Sequence, residues 1–423
     1  MKRQFFGIPA ALIALVLMAA LSGCSGGPKT GTVRERRPGQ RVQVVQSGSG
    51  VSVRKASDWA KDYPDIHASY LRNAANNENY SYVETYPMLG VVYEGMAFNR
   101  FYNSARGHVF TVEDLYATGR PHPLANCFAC KTPDFHAAVI AKGVEVYRTP
   151  FDEMRPQISE PVSCFNCHAN EPGEITITHL YLSQALGQDL YSVNPGSIAC
   201  AQCHVEYHFG TPNSATPSAV ILPYQGLSSM NPDAMLKYYN DLQMPDGGSF
   251  YDYINPRTGV RQIKIQHPEF ETFYGQGSNH SGTYACADCH MPTAVNAQKK
   301  TYISHEWMSP LKNPDLVNGE CASCHVNLAA DVGRIQNLAH DRSISIGKAI
   351  EAFTEELAAA VASERYGNDR LNPIRQAARE SQFYWDFVWV ENSNGAHNSR
   401  LTHQCLDKAE ARLNEARSLL RQL

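Results

Sequence analysis

A C-x-x-C spacing occurs five times in this 423-residue chain, and no other feature constrains its fold as strongly. Four of the five end in histidine: Cys164, Cys167 and His168; Cys200, Cys203 and His204; Cys286, Cys289 and His290; Cys321, Cys324 and His325. C-x-x-C-H is the attachment pattern of c-type haem, in which both thiols become thioethers and the imidazole ligates iron. Random placement of 12 cysteines and 16 histidines would give about 0.01 such matches. Four matches therefore predict covalent haems.

The fifth occurrence, Cys127, Cys130 and Lys131, ends in lysine. An amine binds iron only after losing its proton, which at pH 7 costs about 4.6 kcal/mol for a group whose ordinary pKa is near 10.4. Iron coordination must offset that cost. The plainer reading, a zinc site or redox disulfide with Lys131 a bystander, is disfavoured by the four haem motifs at similar spacing around it.

The motifs start at 127, 164, 200, 286 and 321, and no Pro/Gly-rich linker divides them. This predicts a mainly α chain, a multihaem c-type cytochrome with haems packed in one domain over 57–327. Short loops and helical turns should hold the haems, with little sheet. From 328 to 423 the pattern predicts long helices of the same domain. One runs from about 328 to 365. A second begins at Asn372-Pro373, with asparagine as cap and proline in the first turn, and reaches about 392. A third, about 399–422, carries Leu406, Ala409, Leu413, Ala416 and Leu420 at a spacing suited to helix–helix contact. Phe383, Tyr384, Trp385, Phe387 and Trp389 predict core packing, and Cys405 a buried inert thiol.

At the other end, Lys2 and Arg3 precede an apolar run that closes in Leu21-Ser22-Gly23-Cys24. The run is short for a membrane span and predicts a lipoprotein-type secretory signal over 1–23, with Cys24 lipidated. The expected location is the periplasmic face of a bacterial membrane. Residues 24–56 are rich in Gly, Ser and Arg and predict a flexible basic tether. Without signal and tether, 28 basic residues stand against 40 acidic, a net −12. That sign disfavours nucleic-acid binding, and it requires a locally positive entry route for any anionic substrate.

One C-x-x-C-K followed by four C-x-x-C-H, in this order, resembles the pentahaem cytochrome c nitrite reductases that form ammonia. The resemblance runs from about Trp59 to the C-terminus. It implies five covalent haems, with the one at Lys131 catalytic and four bis-histidine haems feeding it. By the same resemblance His108 is the second ligand of the third haem, His305 of the second, His280 of the fifth and His397 of the fourth. His67, His122, His136, His179, His208, His340 and His403 match no such position and are expected to be structural. The resemblance further implies one Ca²⁺ held by Glu206, the backbone carbonyls of Tyr207 and Lys264, and the Gln266 side chain. It implies a catalytic pocket of Arg120, Tyr207 and His267 above Lys131. Arg106 competes with Arg120 for the arginine role, and counting from Arg106-Gly107-His108 favours Arg120, with Arg106 holding a propionate or backbone near His108. Nitrite as substrate, a homodimer through the C-terminal helices, and a quinol-oxidising membrane multihaem cytochrome or soluble electron donor complete the implied partners. Two other classes stay open: a multihaem electron carrier, or a reductase of hydroxylamine or sulfite on the same scaffold.

Overall fold

The computed structural model describes residues 42–96, 99–121 and 123–423. The expected signal 1–23, Cys24, the first part of the tether and His122 lie outside the described residues. Short helical turns carry the motif cysteines, and local caps set several of the helices in and beside them. Thr132 Oγ1 accepts from Asp134 N at the start of helix α1 (Pro133–Lys142), directly after Lys131. Helix α2 (Cys164–His168) opens on a capping box in which the Asn166 side chain accepts the Ser163 amide at 2.9 Å. Asn194 and Pro195 start α3 (Pro195–Ala201), which delivers Cys200. After α4 (Glu269–Tyr274) comes α5 (Cys286–His290), where Asp288 accepts the Ala285 amide at 2.7 Å.

Three long helices follow: α6 (Leu328–Ala362), α7 (Asn368–Trp389) and α8 (Ser399–Arg421). Asn327 caps α6 and Asn398 caps α8. The Asn398 amide also donates to the carbonyls of Thr272 and Gly275, which ties the start of α8 to the end of α4. Among the described residues the strands are two or three residues long and form four two-stranded pairs. One buried cluster runs from Val42 to Ala416, so the motif region and the long helices share a core. Phe383, Trp385 and Phe387 on α7 fill its centre, and Cys405 is buried beside them. The fold is mainly α. Among the described residues no helix is long and apolar enough to cross a membrane.

Two expectations need correction, and the α8 seam resolves to one of its two readings. The second long helix starts at Asn368, and Pro373 lies inside it. Proline has no N–H, so one bond to the Asp369 carbonyl is lost, a defect tolerated this close to the N-terminus. The tether does not extend to residue 56. Strand β1 (Gln43–Val44) pairs in parallel with β2 (Thr176–Ile177), and Val45, Val51 and Val53 pack on Ala137, Ile140 and Phe165. Arg54, counted with the basic tether, pairs with Asp62 at 2.7 Å and lies over the Trp59 ring. Three valines supplied the apolar face that the Gly/Ser/Arg composition obscured. Finally, Leu406, Ala409, Leu413 and Ala416 are buried within the chain, and Ser381 on α7 bonds the Ala409 carbonyl. That seam is spent on intrachain packing and is not free for a second copy.

One ion pair ties α7 to the segment that follows the strand Arg261–Gln262. Lys264 Nζ lies 3.1 Å from Asp386 Oδ2, with both side chains almost fully buried. Asp386 also accepts the Ile265 amide at 2.9 Å and the Tyr93 hydroxyl. Breaking such a pair leaves an uncompensated buried charge. Asp386→Ala should therefore lower stability by about 3–5 kcal/mol, whereas Lys264→Met with Asp386→Leu should recover much of it. Thermal or denaturant unfolding of the haem-loaded protein measures both, and a single variant within error of wild type would contradict the account.

Candidate active site

The chain encloses a cavity of about 3030 Å³ to which every motif contributes, through Cys130 and Lys131, Cys164 and Cys167, Cys200 and Cys203, Cys286 and Cys289, and Cys321 and Cys324. Single-ligand pockets are several times smaller, roughly 300–1,000 Å³. The space is of the size for several large prosthetic groups.

Four pairs of imidazoles face one another across this cavity. Ring centroids are 6.2 Å apart for His168 and His305, and 6.0 Å for His204 and His108. They are 6.1 Å apart for His290 and His397, and also for His325 and His280. Two metal–nitrogen bonds of about 2.0–2.1 Å, each with about 1.2 Å from nitrogen to ring centre, need roughly 6.4 Å. The pairs are thus spaced for one iron between each. Their tautomers agree. His168, His290 and His305 donate from Nδ1 to the carbonyls of Glu174, Met308 and Ile303, at 2.6, 2.8 and 3.0 Å. A carbonyl only accepts, so the proton is on Nδ1 and the Nε2 lone pair is left for metal. His397 turns Nδ1 to Glu391 at 2.7 Å. Burial alone would lower its pKa, but the Glu391 carboxylate outweighs burial and raises it to about 9. Burial lowers His108 to about 3 and His305 to about 4, so both are neutral, as metal ligation requires.

Two glycines let His108 and Arg120 reach their places. A Cβ on Gly107 would lie 2.1 Å from the Asn73 carbonyl oxygen, and one on Gly119 would lie 2.5 Å from the Phe101 ring. Neither position tolerates a side chain without movement.

Around the lysine motif the surroundings differ. Lys131 lines the cavity; its carbonyl accepts from Thr111 Oγ1 at 2.7 Å and its amide donates to Phe128 O at 3.0 Å. Arg120 donates from Nε and Nη2 to the Phe101 carbonyl, at 3.2 and 3.0 Å, and its charge lies beside Tyr102, Tyr207 and Cys127. His267 lines the same cavity, and its Nδ1 is buried without a hydrogen-bond partner among the described residues. Burial, with Lys131, His204 and Lys264 close by, pushes its pKa down to about 4. Tyr207 is held well above an ordinary phenol, first by burial and then by Cys130, Cys127, Glu206 and Asp252. As thioethers those sulfurs carry no charge, which leaves burial and the carboxylates. Arg106 lines the cavity beside His108, and its guanidinium lies 2.6 Å from Asp114, 2.8 Å from Glu113 and over the Phe110 ring.

The expected cation ligands lie together. Glu206 is fully buried; Oε1 accepts from Tyr239 at 2.7 Å and Oε2 from the Gln266 amide at 2.6 Å. Gln266 Nε2 donates to the Lys264 carbonyl at 3.0 Å. Among the described residues no three His, Cys, Asp or Glu side chains converge on a point. The expected set takes two of its four donors from the backbone. Sequence reasoning missed two acids nearby. Asp252 accepts the Lys264 amide at 2.8 Å, and Glu271 accepts the Glu206 amide at 3.0 Å and the Tyr224 hydroxyl at 2.8 Å. Burial raises Glu271 to about 8, whereas Asp252 is exposed. No local spacing marks either acid.

It also missed a histidine stack. His136 and His179 are fully buried with ring centroids 3.4 Å apart. His136 Nε2 bonds the Ala129 carbonyl inside the lysine motif, and His179 Nε2 lies 3.4 Å from Cys203 Sγ. The stack joins two haem motifs, and only three-dimensional proximity reveals it.

The family model described as cytochrome c552 matches residues 55–423. The chain is 28% identical to cytochrome c nitrite reductase subunit NrfA of Nitratidesulfovibrio vulgaris, over 94% of this chain and 82% of that protein. It is 29% identical to cytochrome c-552 of Aliarcobacter butzleri, over 86% and 75%. Among solved structures, it resembles the catalytic subunit NrfA of cytochrome c nitrite reductase from Desulfovibrio desulfuricans, described with two calcium sites. The TM-score is 0.77 at 26% identity, covering 87% of this chain and 86% of the other. With its paired histidines, its motif-lined cavity and a match over nearly all of the described residues, the chain belongs to the cytochrome c552 family.

Proposed function

We propose that this protein reduces nitrite to ammonium at the pocket above Lys131. One observation carries the reading. The four motifs ending in histidine each face a second histidine, whereas the one ending in lysine has Arg120, Tyr207 and His267 near it. The relatives named cytochrome c nitrite reductase support the same substrate. The four histidine pairs would hold four c-type haems and Lys131 a fifth, and these groups would supply the electrons.

The chain's residues do the rest. Arg120 offers a fixed positive charge in a partly buried site, where it attracts and orients a small anion more strongly than in water. His267 is neutral at pH 7 and offers an N–H to a substrate oxygen or passes a proton. Tyr207 keeps its phenolic proton and donates a hydrogen bond. Conversion of nitrite to ammonium takes six electrons and eight protons and releases two waters, so proton donors beside the substrate are required throughout. Hydroxylamine and sulfite are further substrates of the same pocket.

A cation at Glu206 belongs to this reading, as Ca²⁺ bound by Glu206, the carbonyls of Tyr207 and Lys264, and Gln266. Oxygen donors suit a hard cation, and a buried carboxylate bonded by Tyr239 and a backbone amide needs a compensating charge or a proton. We further propose export through the signal at 1–23, a lipid at Cys24, and electron delivery by a membrane multihaem cytochrome or a soluble donor. A homodimer would have to use faces other than the buried α8 seam, such as the one where Leu338 of α6 is 52% exposed.

Dye-reduced, haem-loaded protein given nitrite should produce ammonium with six electrons consumed per nitrite; oxidation of the dye without ammonium would end this reading. Arg120→Ala should lower kcat/KM by about 2–4 kcal/mol, roughly 30- to 1000-fold, with haem spectra unchanged. Arg106→Ala should alter a low-spin haem spectrum near His108 and change nitrite kinetics less, and the reverse pattern would exchange the two roles.

Protons compete with the cation. Glu271, raised to about 8 by burial, is ionised above that pH and protonated below it, and burial holds Glu206 well above the usual carboxylate range. Calcium retention against a buffered chelator should therefore weaken as pH falls from 8 to about 6, read by metal analysis. Glu206→Ala should lose the ion at both pH values while keeping every haem. Equal retention at both pH values, or calcium bound to the variant, would misplace the ion.

A further inference from the structure

We propose that a series of tyrosines and tryptophans carries oxidising equivalents away from the Arg120 pocket to the protein surface. The series begins at Tyr102, partly buried beside Arg120, with Lys264 Nζ 5.5 Å from its ring. From there the centroid steps are 5.8 Å to Tyr93, 6.2 Å to Trp385, 5.4 Å to Trp389 in a near-parallel stack, and 5.0 Å to Tyr86. A second branch goes from Tyr102 to Tyr82 at 4.8 Å and on to Tyr86 at 6.4 Å. Each step lies in the range at which ring edges touch. Electron tunnelling falls steeply with edge separation, so contact steps are fast.

Aromatic packing alone would produce similar distances, but it does not select the side chains or their partners. Every ring on both branches is Tyr or Trp, the two side chains that strong oxidants can oxidise by one electron. On the other side of the lysine motif Phe128 and Phe151 stack at 4.5 Å, and Tyr116, 6.2 Å from each, touches only these two rings among the described residues, so that route is interrupted by phenylalanine. A tyrosine that loses an electron must also release its phenolic proton, and acceptors are in place. Tyr93 bonds the Asp386 carboxylate. Tyr86 lies 3.1 Å from His340 Nε2, and His340 Nδ1 is 3.7 Å from Asp341. That arrangement leaves Nε2 to receive the proton and Asp341 to stabilise the imidazolium. His340 is a third exposed, so the series ends in contact with solvent.

The inference rests on the open, redox-active pocket proposed above. The oxidant considered is hydrogen peroxide. Its O–O bond breaks, it takes two electrons and two protons, and it leaves as two waters. For each electron drawn from Tyr86, a neutral tyrosyl radical forms and His340 gains the proton. A one-electron reductant at the surface, such as ascorbate, returns an electron, and the proton returns from His340.

The test mixes fully oxidised, haem-loaded protein with hydrogen peroxide in the absence of reductant, freezes it within milliseconds to seconds, and records EPR spectra. Wild type should give an organic tyrosyl or tryptophanyl radical. Tyr86→Phe interrupts both branches and should remove the tyrosyl component with several-fold faster haem bleaching, and ascorbate should protect wild type but not the variant. Trp389→Phe interrupts one branch and should have a smaller effect, and it carries the test if Tyr86→Phe fails to fold. Phe151→Leu, on the inert side, should match wild type. Nitrite turnover of the same preparations tests the proposed function separately, since none of these residues is assigned to nitrite. No organic radical in wild type, or identical radicals and bleaching in the Tyr86 and Trp389 variants, would overturn the inference.

Discussion

The fold answers to one geometric demand: an iron between two imidazoles needs them on opposite sides at a fixed spacing. A C-x-x-C-H turn supplies one imidazole locally, but the other comes from far along the chain. His108 reaches His204, His305 reaches His168, and His397 reaches His290. Each reach depends on a backbone device. The close approach of Gly107 to Asn73 sets His108, and the Ser69 hydroxyl holds the His305 amide. The Asn398 cap, bonded to the end of α4, sets His397. The long helices supply the buried apolar mass that keeps these connections closed.

A second constraint lies under the pocket. Glu206, Glu271, Lys264, Arg379 and Asp386 are all buried, an unusual density of charge for a core. Lys264 links the two halves of this network. Its side chain answers Asp386 on α7, while its backbone accepts Gln266 Nε2 and donates to Asp252. The segment 264–267 is thereby fixed at both ends, and His267 leaves it toward the cavity. Positioning of a proton donor is in this way coupled to buried charge that also favours a cation, so cation loss and altered His267 geometry should accompany one another.

Much of this was legible because haem attachment and helix repeats are local patterns. Five motifs and three long helices can be read from spacing alone. Long-range pairing cannot, and His108, His280, His305 and His397 were placed by resemblance to a family. Acids such as Asp252 and Glu271 have no periodic signature, and neither does the His136–His179 stack. The errors follow the same division. Pro373 looked like a helix start because its local preference is strong, but tertiary packing carried the helix one turn further. The α8 seam had a period that fits an intrachain neighbour and a second copy alike, and packing within the chain uses it. The valines that dock residues 42–53 were outweighed by the composition around them.

The central claim is that Lys131 marks a haem whose opposite face is open to substrate. The direct measurement is the spin-state count in the oxidised, haem-loaded protein, by EPR together with magnetic circular dichroism and a haem assay. Four low-spin haems with two nitrogen ligands and one high-spin haem, the latter perturbed by added nitrite, is the result this account predicts. Five low-spin haems, unchanged by nitrite, would contradict it.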